Sequence, residues 1–395
     1  MPNVYGVQHV SCLEGTREKT RAAIGKWADE KGSDKPIFLL LDVAGSGKST
    51  VAKHMFVEWT REKRLVARFF FSRDTTTTRR TDSFCSTVAN AFAELDPTFN
   101  DHLEKFKKRG DFTLLSFEEL FNGLVLTPLE ELDRDAILII DALDECDNED
   151  GSRDDLLNVL HGQRSSTPRL RIFATGRPER DIKQWARKSG VGYANFSQLG
   201  EGDKDVEFYI KHRLQDLPIN IGDRIYLVIR RAEGVFIWAR IACDLILNTA
   251  DVDGLLEELG KEVTLDFLYK VALEQSIPKD SRSQQAFTVV LQMILASREP
   301  LSIAELERLT PNAGIVEQIV TCLGAVLLYK DRDDPIRLLH ATFHEFLTTR
   351  SKAGIYFIQP EHGHQRLASA CLSTINYHLS QGDPTLRNLD LISER

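Results

Sequence analysis

The chain has 395 residues, 42% hydrophobic and 28% charged, with a formal net charge of -9. That length builds two or three packed units, and the composition is that of an ordinary globular protein. The acidic balance argues against a protein that coats nucleic acid, which needs clustered Lys and Arg to neutralise phosphates. Six cysteines, Cys12, Cys85, Cys146, Cys243, Cys322 and Cys371, contain no CxxC pair, so a structural zinc site is not expected. The start, MPNVYGVQHVSCLEG, lacks the basic-then-apolar pattern of a signal peptide. The most apolar stretch, GVFIWARIACDLIL, holds Arg240 and Asp244, and reads as a buried helix. A membrane span would need roughly 20 apolar residues. Together these features place the chain in a reducing, cytoplasmic compartment.

In chain order, residues 1–35 read as a helical lead-in, with Ile24 and Trp27 on one face. From 36 to 200, strand-like and helix-like segments alternate. The apolar runs IFLLL, VARFFF, AILII and LRIFAT are short and poor in charge at their centres, as strands buried on both faces of a parallel sheet are. The helical patterns between them supply the crossovers, so this part is an α/β domain with helices on both faces of its sheet. From 201 to 280 the spacing turns helical, in DKDVEFYIKHRLQDL, FIWARIACDLILNT and LDFLYKVALEQSI. Residues 281–350 end in GAVLLYKD and IRLLHATFHEFL, a strand, a turn and a helix, as in a winged-helix unit. Residues 351–395 form a helical tail with a ragged end. No internal repeat is seen, and the only low-complexity run is four threonines at 75–78.

The segment IFLLLDVAGSGKSTVAKHMF runs strand, loop, helix, and its loop closes in Gly45-Ser46-Gly47-Lys48-Ser49-Thr50. Such glycines let backbone N–H groups wrap phosphate oxygens, and the following helix adds its positive end. Lys48 reaches β- and γ-phosphates, and the Ser49 hydroxyl is a Mg²⁺ ligand. The full pattern GxxxxGK[ST] is broken at its first position, where Asp42 stands. Asp tolerates left-handed backbone better than most residues, but its charge opposes a polyphosphate unless it points away. The bland alternative is an ordinary glycine-rich turn.

AILIIDALDEC ends a strand in Asp141, Asp144 and Glu145. Asp141 is the metal candidate; Asp144 and Glu145 are candidates to orient or deprotonate an attacking water. Alternatively these acids simply lead into a solvated acidic loop. LRIFATGRPE ends in Thr175 and Arg177 at the carboxyl edge, where ligands of such sheets bind, and the Arg177 fork suits a γ-phosphate.

Taken together, CLEGTRE, VAGSGKST, RFFFSRD, ILIIDALDECD, FATGRPE, GVFIWARIACDLI and LLHATFHEFL, in this order, resemble the fungal NACHT family of signal-transduction (STAND class) P-loop NTPases, of the nephrocystin-3-like N-terminal type. The resemblance runs from Cys12 to Arg350. It implies a nucleotide-binding α/β domain, a helical domain and a winged-helix domain, closed over ADP and opened with ATP. It also implies slow hydrolysis, self-association and protein partners in signalling or innate-immunity-like recognition. ATP or ADP with Mg²⁺ is the expected cofactor, with GTP left open. His340 stands where the family's phosphate-touching histidine stands. The chain departs from the family at Asp42, at Ala341 in place of an aspartate, and at Val235-Phe236 after Gly234 in place of a proline. Family members commonly carry an effector domain before this region and repeats after it; neither is read here. Two other readings stay open: a housekeeping phosphotransferase, and a scaffold that has lost its nucleotide.

Overall fold

A computed structural model describes residues 11–380, apart from 31–34, 73–77, 79, 82, 109–111, 113–114, 133, 149–150, 167–168, 218–223, 262–263, 278–280 and 311–312. The first ten residues of the lead-in, Arg73 and Asp74 of RFFFSRD, threonines 75–77 and the end after Ser380 lie outside the described residues. The chain divides into two compact units, Met1–Cys243 and Asp244–Arg395.

The four apolar runs are the four long strands of one sheet. β1 (Ile37–Leu41), β2 (Leu65–Phe70), β3 (Ala136–Asp141) and β4 (Leu170–Gly176) join a short β5 (Tyr193–Ala194). All pair in parallel, in the order β2-β3-β4-β1-β5. Alternation explains why the strands carry almost no charge, since each one serves two cores. One face presents Leu39, Leu65, Leu138 and Ile172 to Phe84, Phe92, Phe121, Leu156 and Trp185. The other presents Leu40, Val66, Ile139 and Phe173 to α1 (Glu18–Asp29) and α2 (Lys48–Arg61), through Ile24, Trp27, Met55 and Trp59. The parallel register brings the carboxyl ends of β1, β3 and β4 to one edge, because Leu41 lies beside Gly176 and Ile140 beside Ala174.

Local chemistry fixes the helix starts. Asp96 accepts from the backbone N–H groups of Thr98 and Phe99 at the head of the helix Pro97–Lys107, with Pro97 in its first turn. Ser116 and Glu119 form a reciprocal capping box.

Among its described residues the second unit is helical with one two-stranded sheet. β6 (Leu327–Leu328) and β7 (Arg337–Leu338) pair antiparallel between the helices Val316–Cys322 and Ala341–Thr348. Its core includes Tyr269, whose ring lies 4.9 Å from Phe343 and 5.4 Å from Phe346. Gly363 lets the helix Pro360–Ser380 press onto the Gln292 carbonyl of the helix Ser281–Ala296; a side chain there would collide with that backbone. Among the described residues no helix is long and apolar enough to cross a membrane.

Candidate functional site

β1 hands over to α2 through a loop of six residues, Asp42 to Gly47, whose glycines carry left-handed backbone, φ 73° at Gly45 and 97° at Gly47. Those angles let the chain turn tightly before the helix begins at Lys48. The Lys48 ammonium turns back into the loop and donates to the carbonyls of Asp42 (2.9 Å) and Val43 (2.8 Å). Two of its three donors thus hold the loop in shape. The side chain is buried, and burial pulls its pKa below the usual lysine range, with Asp144, Asp141 and Asp42 pulling the other way. A buried cation with carboxylates nearby thus stands at the start of the helix that follows the loop. Ser49 and Thr50, both half-buried, begin the helix.

Asp42 does not take the left-handed backbone its position suggested; in this loop only the glycines do. Its two carboxylate oxygens accept backbone N–H bonds, one from Val43 at 2.7 Å and one from Phe196 at 2.9 Å. The charge is therefore anchored to the segment after β5, and the family departure has a local role.

The acidic strand end lies at the same edge. Asp141, 5% exposed, accepts the hydroxyl of Thr175, and that hydroxyl oxygen accepts the Ala142 N–H at 3.2 Å. Ala142 is left-handed at φ 56°, which throws the chain into a single 3-10 turn, Leu143–Glu145. Asp144, 2% exposed, faces Arg177: its carboxylate accepts the Arg177 backbone N–H at 2.8 Å and lies 3.2 Å from Nε. Asp144 and Arg177, read separately from two strand ends, are thus partners. Glu145 is half-buried on the same turn.

Two further residues tie the site together, and sequence reasoning assigned neither a role. Arg153 donates to the carbonyls of Asp144 (2.7 Å) and Cys146 (2.9 Å), and to the carboxylates of Glu179 (2.6 Å) and Asp181 (2.8 Å). It thereby links the exits of β3 and β4. Arg17 donates to the Ser46 carbonyl at 2.7 Å. The only sequence signal for Arg153 was a lone cation within an acidic loop; Arg17 lay inside the quoted CLEGTRE.

His340 belongs to the second unit. Its Nδ1 accepts the Thr342 N–H at 3.2 Å, which caps the helix Ala341–Thr348, and it meets the Thr342 hydroxyl at 2.7 Å. A half-open cleft of about 320 Å³, lined in part by Trp27, Phe38, Val191 and Tyr193, sits at the amino end of β1, opposite the phosphate loop. It is separate from the chemistry described above.

A parallel sheet with a GSGKST loop between its first strand and the next helix, and acids at a neighbouring strand end, is the P-loop type of α/β fold. The family model described as "Nephrocystin 3, N-terminal" matches residues 19–177. No curated protein matches the chain. Among solved structures, the chain is loosely similar to the Walker-type ATPase PABY2304 of Pyrococcus abyssi, at 13% identity over 86% of this chain and 98% of that one, TM-score 0.45. It is also loosely similar to Cdc6p from Pyrobaculum aerophilum, at 10% identity over 90% and 93%, TM-score 0.41. A third such likeness is AMPPCP-bound DnaA from Aquifex aeolicus, at 12% identity over 91% and 98%, TM-score 0.38.

Proposed function

We propose that this chain is a nucleotide-dependent switch of the NACHT type, binding ATP or ADP with Mg²⁺ and hydrolysing ATP slowly. The observation that carries the reading is the meeting of three features at one sheet edge. These are the glycine loop with buried Lys48, the buried carboxylate of Asp141, and the Asp144–Arg177 pair.

In this reading the amides of Gly45 to Ser49 and the Lys48 ammonium hold the phosphates, and Thr50 continues the helix whose positive end faces them. Asp141 and the Ser49 hydroxyl would hold Mg²⁺. Among the described residues no cluster of three His, Cys, Asp or Glu gathers that could cage a metal alone. Such a sparse donor set fits Mg²⁺, which keeps waters and substrate phosphates as ligands. When bound, the ion neutralises charge on the phosphate oxygens. Arg177 leaves Asp144 to meet the γ-phosphate, and Asp144 or Glu145 then orients the attacking water. The turnover of such a switch without a stimulating partner is on the order of 10⁻² to 10⁻⁴ per second.

The finer parts of the reading are a winged-helix unit around β6 and β7, His340 as the residue of the second unit that answers to nucleotide, and nucleotide-dependent self-association with protein partners. One observation favours a second reading, a scaffold without nucleotide: the Asp42 carboxylate, held by the Val43 and Phe196 N–H groups, adds negative charge to the loop.

Calorimetry of the chain with MgADP and MgATP, parent against Lys48→Ala, tests the proposal. Removing the ammonium should weaken binding at least tenfold, about 1.4 kcal/mol. Parental affinity in the variant would remove the phosphate-loop assignment, and no binding by either protein would leave the scaffold reading.

A further inference from the structure

Arg17 precedes the sheet and touches none of the residues given a chemical role above, apart from the loop carbonyl of Ser46. Yet its environment is tightly constrained. Its backbone is left-handed, φ 58°, a conformation unfavourable for any residue with a side chain. It is 2% exposed. Its guanidinium lies 3.5 Å from the ring centroid of Phe196 and 4.9 Å from that of Phe236. Its backbone N–H donates to Asp205 Oδ2 at 3.1 Å, and Nη1 lies 3.6 Å from the same oxygen. Nε and Nη1 make no hydrogen bond although both are buried. Strain, burial and unmet donors at one residue call for a compensating role.

That role lies in the 2.7 Å bond from Nη2 to the Ser46 carbonyl. In a trans peptide the C=O and the next N–H point in opposite directions. Holding the Ser46 carbonyl therefore fixes where the Gly47 N–H points. Gly47, with φ 97° and no side chain, would otherwise let this peptide flip and turn a carbonyl dipole toward the anion. The neighbouring carbonyls are held as well. Gly45 accepts from the Ile237 N–H at 3.0 Å, and Asp42 and Val43 accept from Lys48. Ile237 sits so close that a side chain on Gly45 would collide with it. The loop is thus gripped along its carbonyl side, leaving the amide of Gly47 to the other side.

We propose that Arg17 is a positioning residue of the phosphate site: it locks the Ser46–Gly47 peptide in the orientation that receives an anion. The two aromatic rings and Asp205 hold the guanidinium itself in place, a task that its planar fork suits and an ammonium does not. The inference rests on the nucleotide-binding reading above.

The test uses the full chain with Arg17→Met, Arg17→Lys and Lys48→Ala. Three quantities are read: MgADP affinity, melting temperature without nucleotide, and amide exchange over residues 42–50. Arg17→Met should weaken MgADP at least tenfold and speed exchange at Gly47, while β1, β3 and β4 stay protected. Arg17→Lys should recover part of the affinity, since its ammonium reaches the Ser46 carbonyl without the stacking. If Arg17→Met melts lower but binds MgADP like the parent, the residue is only structural and the inference fails. If Arg17→Met does not fold, Arg17→Lys decides: severalfold weaker binding at the parental melting temperature supports the inference, and parental affinity overturns it. Lys48→Ala separates the two levels. Loss of binding there with none at Arg17 sinks this inference alone, whereas parental binding by Lys48→Ala sinks the reading beneath it.

Discussion

Asp42 shows how one residue serves the fold and the site in opposite directions. Its carboxylate joins the phosphate loop to the segment after β5 through the Val43 and Phe196 N–H groups. It also adds negative charge near the site proposed to hold phosphates. Asp42→Gly should therefore move two quantities in opposite senses. Losing the two charge-assisted bonds should destabilise the nucleotide-free protein by about 1–3 kcal/mol. Removing the charge should tighten MgADP about threefold or more. Thermal melting with and without ADP reads both: a lower starting temperature and a larger nucleotide-induced shift. A smaller shift would mean that the carboxylate organises the loop for the anion rather than opposing it.

At the scale of elements, burial also sets a pH dependence. Tyr269, on the helix Leu265–Ser276, is buried with its hydroxyl 2.7 Å from that of Thr342. Burial pushes its pKa well above the usual tyrosine range, and the Thr342 hydroxyl offsets this only in part. The folded state therefore keeps its proton where the unfolded chain begins to release it, near pH ~10. The group's stabilising contribution is full below that pH and is lost as pH rises above it. Tyr269→Phe should cost about 0.5–1.5 kcal/mol at pH 8 for the missing hydrogen bond, yet lose stability less steeply between pH 9 and about 11. Urea midpoints across that range check it; Tyr356, raised by burial and by Glu274, supplies a residual slope in both proteins. An unchanged slope would show that Tyr269 does not govern the alkaline limb. What the sequence disclosed at this scale follows from the same burial. IFLLL, VARFFF, AILII and LRIFAT were legible as strands because each is covered on both faces, so that apolar residues dominate each run, with Arg68 the one charged residue at a strand centre. The two-residue β5 and the π-helical turn Asn122–Leu126 were not, since neither is long enough to impose a period. Of the candidate site, the glycine loop and the strand-end acids were legible because each is a contiguous run in the sequence. Arg17 and Arg153 were not, because a single arginine has no pattern and their partners lie 29 and 26 residues away, at Ser46 and Glu179.

At the scale of the whole molecule the question is whether the second unit answers to the nucleotide. A ligand that binds only the native state stabilises it by about 2.7 kcal/mol at ~100 times its Kd. The phosphate loop lies wholly within the first unit, so the second can share in that effect only through residues that distinguish the bound state from the empty one. His340 is the candidate, but it already has a local task, since its Nδ1 caps the helix Ala341–Thr348 and meets the Thr342 hydroxyl that Tyr269 also reaches. Two substitutions separate the roles. His340→Ala removes the cap and should cost about 1 kcal/mol with or without nucleotide. His340→Asn keeps a side chain favoured at that position, so the nucleotide-free protein should melt close to the parent. If His340 gives the bound state a hydrogen bond to a charged phosphate, worth about 1.5 kcal/mol or more, then at the ADP concentration above His340→Asn should keep only about half of the parental stabilisation. Equal ADP-induced shifts in the parent and in His340→Asn would confine His340 to its cap, and the second unit would then take its signal from another residue or from none.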